Sequence, residues 1–273
     1  MAAIRGSRPF AIAAAVLAAA FVASYFLFVR TYAGQIVDER AFAGAADQHD
    51  LVYRLTGAVL GSVPAIGIGG GVILTLLIGG ITRRFRHVIV AFGVGAVALG
   101  LAELAKHVFL TRAETGATDL LINSFPSGHA TVAAAAAFAV FLVCPPRWRP
   151  LAAVLGALFA VTTGVLLVID QWHRPSDVVA AFMLVAACGC LGGIALIAWG
   201  VGAPRRAPRR LTICWWIAGI AGVVSLVAFV VIYVTVEEHG SHLQIAYAGG
   251  GAAILAAGSG LAAAGNGLFR RID

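Results

Sequence analysis

Three short polar segments interrupt an otherwise apolar sequence and carry residue types that bind and transfer phosphate. The segments are "ELAKHVFLTRAE", "NSFPSGHAT" and "DQWHRPSDVVAA". Their candidate functional residues are Lys106 and Arg112 in the first, Ser127, Gly128 and His129 in the second, and His173, Arg174 and Asp177 in the third. If the fold brings the segments together, they supply cations, a helix start and two histidines to one site.

The cations and the helix start suit a phosphate group. Lysine and arginine neutralise phosphate oxygens, and arginine can do so through two parallel hydrogen bonds. Backbone amides at the first turn of a helix form an anion site, which the helix dipole strengthens. Gly128 has no Cβ, so the backbone there can approach a phosphate closely. Lys106, Arg112, Ser127 and Gly128 are therefore predicted phosphate-binding residues.

The two histidines and the carboxylate suit phosphoryl transfer. One histidine can attack phosphorus while the other protonates the departing oxygen. Asp177 follows His173 by four residues and can hold its imidazole in the reactive tautomer. Each piece also has an ordinary structural explanation. Ser127 could cap a helix, the His173–Asp177 pair could be structural, and Lys106 could extend to a membrane interface. The combination favours an active site over these separate explanations.

The elements that must position these residues are membrane helices. The chain has 273 residues, of which 61% are hydrophobic and 11% charged, and its mean hydropathy is +0.95. A soluble domain of this size needs more charge on its surface, so the composition predicts an all-α, polytopic transmembrane helical bundle. The predicted spans are 10–29, 60–81, 87–109, 128–144, 151–169, 177–200, 212–236 and 243–264. We expect a single membrane domain over 1–273, with six core helices at about 10–200 and two additional helices at about 212–264.

The arginines alternate between successive loops and predict the orientation. The basic set contains Arg5, Arg8, Arg83, Arg84, Arg86, Arg147, Arg149, Arg205, Arg206, Arg209, Arg210, Arg270 and Arg271, with Asp273 as its one acid. The opposite set contains a few arginines mixed with the acids Asp38, Glu39, Asp47, Asp50, Glu114, Asp119, Asp170, Asp177, Glu237 and Glu238. The positive-inside rule places the basic set and both termini in the cytoplasm. The phosphate-binding segments then lie on the extracytoplasmic side of a plasma membrane.

The remaining composition argues against other classes of protein. The net charge of +7 comes from short clusters between apolar runs, so these clusters indicate topology and no nucleic-acid partner is expected. Cys144, Cys188, Cys190 and Cys214 all fall within apolar runs without neighbouring ligand residues. They are expected to be buried thiols, and neither a disulfide nor a metal site is predicted.

The three segments resemble the signatures of the type 2 phosphatidic acid phosphatase, or lipid phosphate phosphatase, superfamily, and in particular its membrane-embedded bacterial type. Those signatures are Lys…Arg-Pro, Pro-Ser-Gly-His and Arg…His-x-x-x-Asp. The resemblance implies that Lys106, Arg112, Ser127 and Gly128 bind phosphate, that His173 is the nucleophile, and that His129 is the general acid. It also implies that Asp177 orients His173, that a phosphohistidine forms, and that no metal or other cofactor takes part. The implied substrate is a lipid phosphate or a prenyl diphosphate, with membrane lipids as its surroundings.

Two positions depart from the signatures. Ala113 stands where proline is expected after Arg112, and Leu167 stands where an arginine is expected six residues before His173. Arg174 is a candidate to replace that missing cation, a hypothesis that fails if its substitution by alanine leaves turnover and affinity unchanged. Two alternative functions stay open: a lipid phosphotransferase that uses the same histidine, and a catalytically weak lipid-phosphate binder or transporter.

Overall fold

The computed structural model of the chain describes residues 2–45, 57, 60–63, 65–118, 122–202, 210–237 and 242–272, with side chains from Gly6 onward. All regular secondary structure within these ranges is helical. The helices are α1 (Ala2–Arg30), α2 (Tyr32–Ala43), α3 (Gly71–Ile81), α4 (Phe85–Leu104), α5 (Gly128–Val143), α6 (Arg149–Ile169), α7 (Pro175–Ala198), α8 (Thr212–Val234) and α9 (Leu243–Leu268). One π-helical turn, Ile66–Gly70, precedes α3, and another, Ala105–Phe109, extends α4.

The predicted fold class is confirmed. Seven helical stretches in the described residues are long and apolar enough to cross a membrane, and α5 is a shorter apolar helix of 16 residues. Together they match the eight predicted spans to within a few residues at most ends. A helix rises 1.5 Å per residue, so each of the seven longer stretches can cross about 30 Å of hydrocarbon.

Helix α5 lies inside the bundle, in contact with α3, α4, α6 and α7. Its alanine-rich sequence gives small side chains that let neighbouring helices approach closely. Gly156 of α6 illustrates this, because an added Cβ there would lie 2.9 Å from the Cβ of Ala137. Helix α5 begins at Ser127, whose side chain accepts a hydrogen bond from the amide of Ala130 and so caps the helix.

Helix α2 was not predicted, since its residues were expected to form a loop after the first span. It packs against α1, α8 and α9 at the end of the bundle where α5 and α7 begin. Arg40 donates to the carbonyl oxygens of Thr235 and Val236 beyond α8, at 3.0 and 2.9 Å. Gln35 donates to the carbonyl oxygens of Val29 and Ala113, both at 2.8 Å. These bonds hold α2 across the end of the bundle.

Arg149 was predicted as a loop arginine that signals topology, but it is fully buried. Its guanidinium donates to the carbonyl oxygens of Cys144, Phe269 and Ile272. It thus joins the start of α6 to the end of the α9 region.

The four cysteines are buried free thiols, as expected. Several predicted loop residues lie outside the described residues, namely Asp47, Asp50, Asp119, Arg205, Arg206, Arg209, Glu238 and Asp273.

Candidate active site

His173 and Asp177 form a buried pair at the start of α7. His173 Nδ1 lies 3.2 Å from Asp177 Oδ2, and the carboxylate is fully buried. The same oxygen accepts the backbone N–H of Arg174 at 3.1 Å, which caps the first turn of α7. The amide N–H groups of Trp172 and His173 both donate to the carbonyl of Leu167 at the end of α6. The backbone at His173 is therefore fixed to the end of α6, and the ring is oriented with Nδ1 toward the carboxylate.

Ser124 is a site residue that the sequence analysis did not identify. Its Oγ donates to Asp177 Oδ2 at 2.6 Å, the shortest of the three hydrogen bonds on that oxygen. The backbone adds a second link, because the N–H of Ser127 donates to the carbonyl of Asp177 at 3.0 Å. Ser124 lies only three residues before Ser127, but nothing in the spacing indicates that it contacts a residue 53 positions away. The two bonds fix the loop that precedes α5 against α7.

The start of α5 has the form expected of an anion site. Ser127 is fully buried and accepts from the amide of Ala130, so its hydroxyl hydrogen can still be donated elsewhere. A Cβ added to Gly128 would lie 3.4 Å from Glu103 Oε1 and 3.6 Å from Lys106 Nζ. Gly128 thus leaves a gap that brings the lysine ammonium close to the first turn of the helix. Ser127 as a cap and Ser127 as a phosphate contact are compatible.

His129 lies in the first turn of α5, near the His173–Asp177 pair. Its ring packs edge-on against the ring of Trp172, with the centroids 5.3 Å apart. His173 and Lys106 are both close enough to interact electrostatically with the ring. Residues from three segments of the sequence therefore lie around His129.

Arg112 is the most unusual side chain of this region. It is 7% exposed, and none of its three guanidinium nitrogens has a hydrogen-bond partner within the part of the chain that the structure describes. Burial, together with the nearby positive charge of Arg174, lowers the pKa of Arg112. A buried cation without partners is unfavourable unless an anion completes its site. The loop around it is well anchored, since Tyr25 and Arg30 donate to the carbonyl of Thr111.

Ala113 explains how the loop is fixed without the proline of the family signature. Its backbone N–H donates to the carbonyl of Val29 at 3.2 Å, and its carbonyl accepts from Gln35 at 2.8 Å. Proline has no N–H and could not make the first of these bonds. Hydrogen bonds to α1 and α2 thus take over the role of the rigid ring in positioning Arg112.

Lys106 is placed by the π-helical turn at the end of α4, and its ammonium has no ion-pair partner among the described residues. Such turns are frequent at functional sites. Glu103 lies three residues before Lys106, a spacing that predicts an ion pair between them, and this prediction is wrong. Glu103 Oε2 instead lies 3.2 Å from His107 Nε2 in an exposed pair four residues apart.

Arg174 is engaged elsewhere. Its guanidinium forms an ion pair with Glu39 of α2, with Nη2 2.7 Å and Nε 2.8 Å from Glu39 Oε2, and it stacks over Phe42. Its positive charge is therefore largely balanced by Glu39. Leu167 is fully buried in an apolar cluster with Leu60, Ala130 and Val178, so position 167 gives the site no charge. Replacement of the missing arginine by Arg174 stays a prediction, and the geometry favours Arg112 and Lys106 as the available cations.

Asp38 of α2 is a second residue that the sequence analysis placed only in a loop. It is buried and accepts from the backbone N–H of Ser176 at 3.1 Å and from its hydroxyl at 2.5 Å. Burial, followed by the negative charge of Asp177, raises the pKa of Asp38 to about 7. Helix α2 is thus docked on the first turn of α7 through Asp38 and Glu39.

Among the described residues, no three His, Cys, Asp or Glu side chains are grouped to hold a metal ion.

The family of the chain follows from comparison with known proteins. The model of the PAP2 superfamily matches residues 10–200, which is more than half of the chain and includes all three polar segments. The chain therefore belongs to the PAP2 superfamily, and this membership suggests phosphatase activity. Searches of curated proteins and of solved structures returned no match.

Proposed function

We propose that the protein is a membrane phosphatase that hydrolyses a lipid phosphate or prenyl diphosphate through a phosphohistidine at His173. The observation that carries the proposal is Arg112, a buried guanidinium with three unpartnered nitrogens among the described residues, close enough to Asp177 of the His173–Asp177 pair to interact with it electrostatically. Its planar donor set matches the oxygens of a phosphate group. Lys106 and the amides of the first turn of α5 add positive potential to the same place.

The mechanism follows from the tautomer that the His173–Asp177 pair favours. With Nδ1–H toward the carboxylate, the lone pair of Nε2 attacks phosphorus, and the P–N bond forms as the P–O bond to the lipid breaks. His129 gives its proton to the departing oxygen. A water molecule then attacks the phosphohistidine, His129 takes up the proton of that water, and the P–N bond breaks to release inorganic phosphate. Arg112 stabilises the charge of the transferring group.

The proposal also states that the substrate is a lipid and that the site faces the extracytoplasmic side of the membrane. The site lies at the ends of apolar helices, where a headgroup phosphate can bind while the tail stays in the bilayer. The alternation of arginines between loops supports an extracytoplasmic site with cytoplasmic termini. The signatures also support a reaction without a metal cofactor. Phosphatidic-acid-like lipids and prenyl diphosphates are the leading substrate classes.

The proposal is tested with purified protein and a panel of phosphatidic-acid-like and prenyl substrates, measuring released phosphate. We expect His173→Asn to abolish turnover, and His129→Gln to lower it by about 10²–10⁴-fold, as loss of a general acid does. A substrate labelled at phosphorus should leave an acid-labile, alkali-stable label on the wild-type protein and none on His173→Asn. His107→Gln is the matched control, because His107 is an exposed histidine paired with Glu103.

Other outcomes separate the alternatives. Label that passes to a lipid or sugar hydroxyl instead of free phosphate would identify a phosphotransferase. Tight binding of phosphate lipids without turnover would identify a binder. Inhibition by a chelator would contradict the metal-free mechanism, and full activity of His173→Asn would overturn the proposal.

A further inference from the structure

A large cavity lies in the half of the bundle away from the phosphate site. Its volume is about 420 Å³, and it is a partly open space lined by α1, α5, α6, α7 and α9. Representative lining residues are Ala134, Phe138, Gly156, Phe182 and Gly265. From Ala134 to Phe141 the cavity follows α5 for roughly 10 Å, at 1.5 Å per residue. It is thus elongated along α5, and most of its wall is alanine, glycine and phenylalanine.

The cavity is not an extension of the phosphate site. Between them lie Ala130, Leu167, Val178 and Ile254, which are fully buried and packed together in one apolar cluster. A substrate held at Arg112 would have to pass through this packing to reach the cavity. An occupant must therefore enter from the other half of the membrane.

The size and lining of the cavity select an apolar occupant. Protein interiors are close-packed, and a void of this volume is strongly unfavourable when empty. Apolar cavities exclude water but accept apolar molecules. Small residues keep the space open: a Cβ added to Gly265 would meet no atom within 4 Å. In a bilayer the available apolar molecule of this shape is a lipid acyl chain.

The charge of Arg271, at the far end of the cavity, indicates which lipid headgroup would bind there. Arg271 lines the cavity, and Asp or Glu is absent from the described lining residues. Arg271 follows α9 in the short 3₁₀ turn Phe269–Arg271, at the end opposite to the phosphate site. A phosphate next to an arginine at a membrane surface is favourable, whereas a choline group would add like charge.

We propose that this cavity binds one acyl chain of an anionic phospholipid from the leaflet opposite to the phosphate site, with the lipid phosphate against Arg271. The lipid would be a stable part of the protein and not a substrate, because its phosphate lies far from both histidines. The proposal is independent of the function proposed above. Catalytic variants should leave this lipid in place.

The test uses full-length protein in phosphatidylcholine nanodiscs that contain a phosphatidylglycerol analogue with a diazirine near the end of one acyl chain. After illumination, we expect cross-links on the lining of α5 and α9. Gly265→Leu fills the cavity and should lower that labelling several-fold, and Ala157→Leu should do the same from α6. Gly219→Leu is the matched control, since Gly219 is an exposed glycine of α8 with open space around it and does not line the cavity.

The headgroup is tested with the same protein. Arg271→Gln should reduce labelling by the phosphatidylglycerol analogue about fivefold, the effect expected of one arginine near an anionic lipid. Arg210→Gln, at an exposed arginine on the same end of the bundle, should not. Equal labelling by a phosphatidylcholine analogue, or labelling of the lining that Gly265→Leu and Ala157→Leu leave unchanged, would overturn the proposal.

Discussion

Arg112 and Arg149 are both buried arginines, but they differ in their hydrogen-bond partners. Arg149 donates to three carbonyl groups and should be destabilising to remove. Arg112 is also buried, but its guanidinium nitrogens have no partners among the described residues. A buried cation without partners should oppose folding, so the proposed phosphate-binding role of Arg112 and the stability of the chain make opposite demands on this side chain.

This contrast gives the first prediction at the residue scale. Arg112→Gln should weaken inhibition by inorganic phosphate about 10–100-fold, because charge-assisted hydrogen bonds contribute about 1.5–3 kcal/mol. Its thermal unfolding temperature, measured without phosphate, should not fall. Arg149→Gln is the control and should lower that temperature. A clear loss of stability in Arg112→Gln would show that the arginine has a structural partner.

The second prediction at this scale concerns Ser124, which acts through Asp177 and is a positioning residue. Ser124→Ala removes the 2.6 Å hydrogen bond on Asp177 Oδ2. We expect kcat to fall about fivefold, corresponding to about 1 kcal/mol for one hydrogen bond, with KM little changed. Ser124→Thr keeps the hydroxyl and should restore most of the rate. Equal rates for the alanine and threonine variants would exclude a role through the hydrogen bond.

At the scale of elements, α2 is the part of the fold that the sequence did not predict. A helix of 12 residues is marginal in isolation, and its sequence, "YAGQIVDERAFA", has no clear apolar stripe. Its stability comes from distant partners instead: Arg40 bonds beyond α8, and Asp38 and Glu39 bond at the start of α7. Local patterns cannot predict contacts between positions about 140 or 195 residues apart. The long spans were predictable because apolar length alone defines them.

The same distinction applies to the site. His129, His173, Asp177, Arg112 and Lys106 could be selected because their residue types and signature spacing indicate phosphate chemistry. Ser124 and Asp38 could not, since a serine or an aspartate in a loop has many possible partners. The ion pair between Arg174 and Glu39 could not be predicted from the sequence either, because it depends on α2 being a helix. Residue types and spacing thus select candidate reacting groups, whereas the groups that contact them become visible only in the fold.

Helix α2 also makes stability depend on pH. Asp38 has a pKa of about 7 in the folded chain and an ordinary value of 3.8. Between these values the folded chain keeps a proton that the unfolded chain has lost, so Asp38 makes stability fall as pH rises from about 4 to about 7. Asp38→Asn can still accept from the Ser176 N–H through Oδ1, its amide NH2 can donate to the Ser176 hydroxyl, and the variant should lose this pH dependence. The measurement is the unfolding temperature of both proteins against pH; parallel curves would contradict the prediction.

At the scale of the whole molecule, the predicted orientation of the protein in the membrane can be tested by labelling introduced cysteines. All four cysteines are buried, so an introduced exposed cysteine should dominate labelling. We expect a membrane-impermeant maleimide to label Glu114→Cys in intact cells. Arg210→Cys should be labelled only after permeabilisation, because the two residues are predicted to lie on opposite faces. The reverse pattern would place the phosphate site in the cytoplasm.

The short length of α5 has a consequence for which lipids can reach Arg112. Its 16 residues rise about 24 Å, roughly 6 Å less than the hydrocarbon layer. We predict that this shortfall falls beside Ser127, the end of α5 that carries the polar segment. The proposed catalytic groups should then lie in a depression below the polar surface. A terminal lipid phosphate can enter such a recess. A phosphodiester with a bulky outer alcohol should be excluded from it sterically.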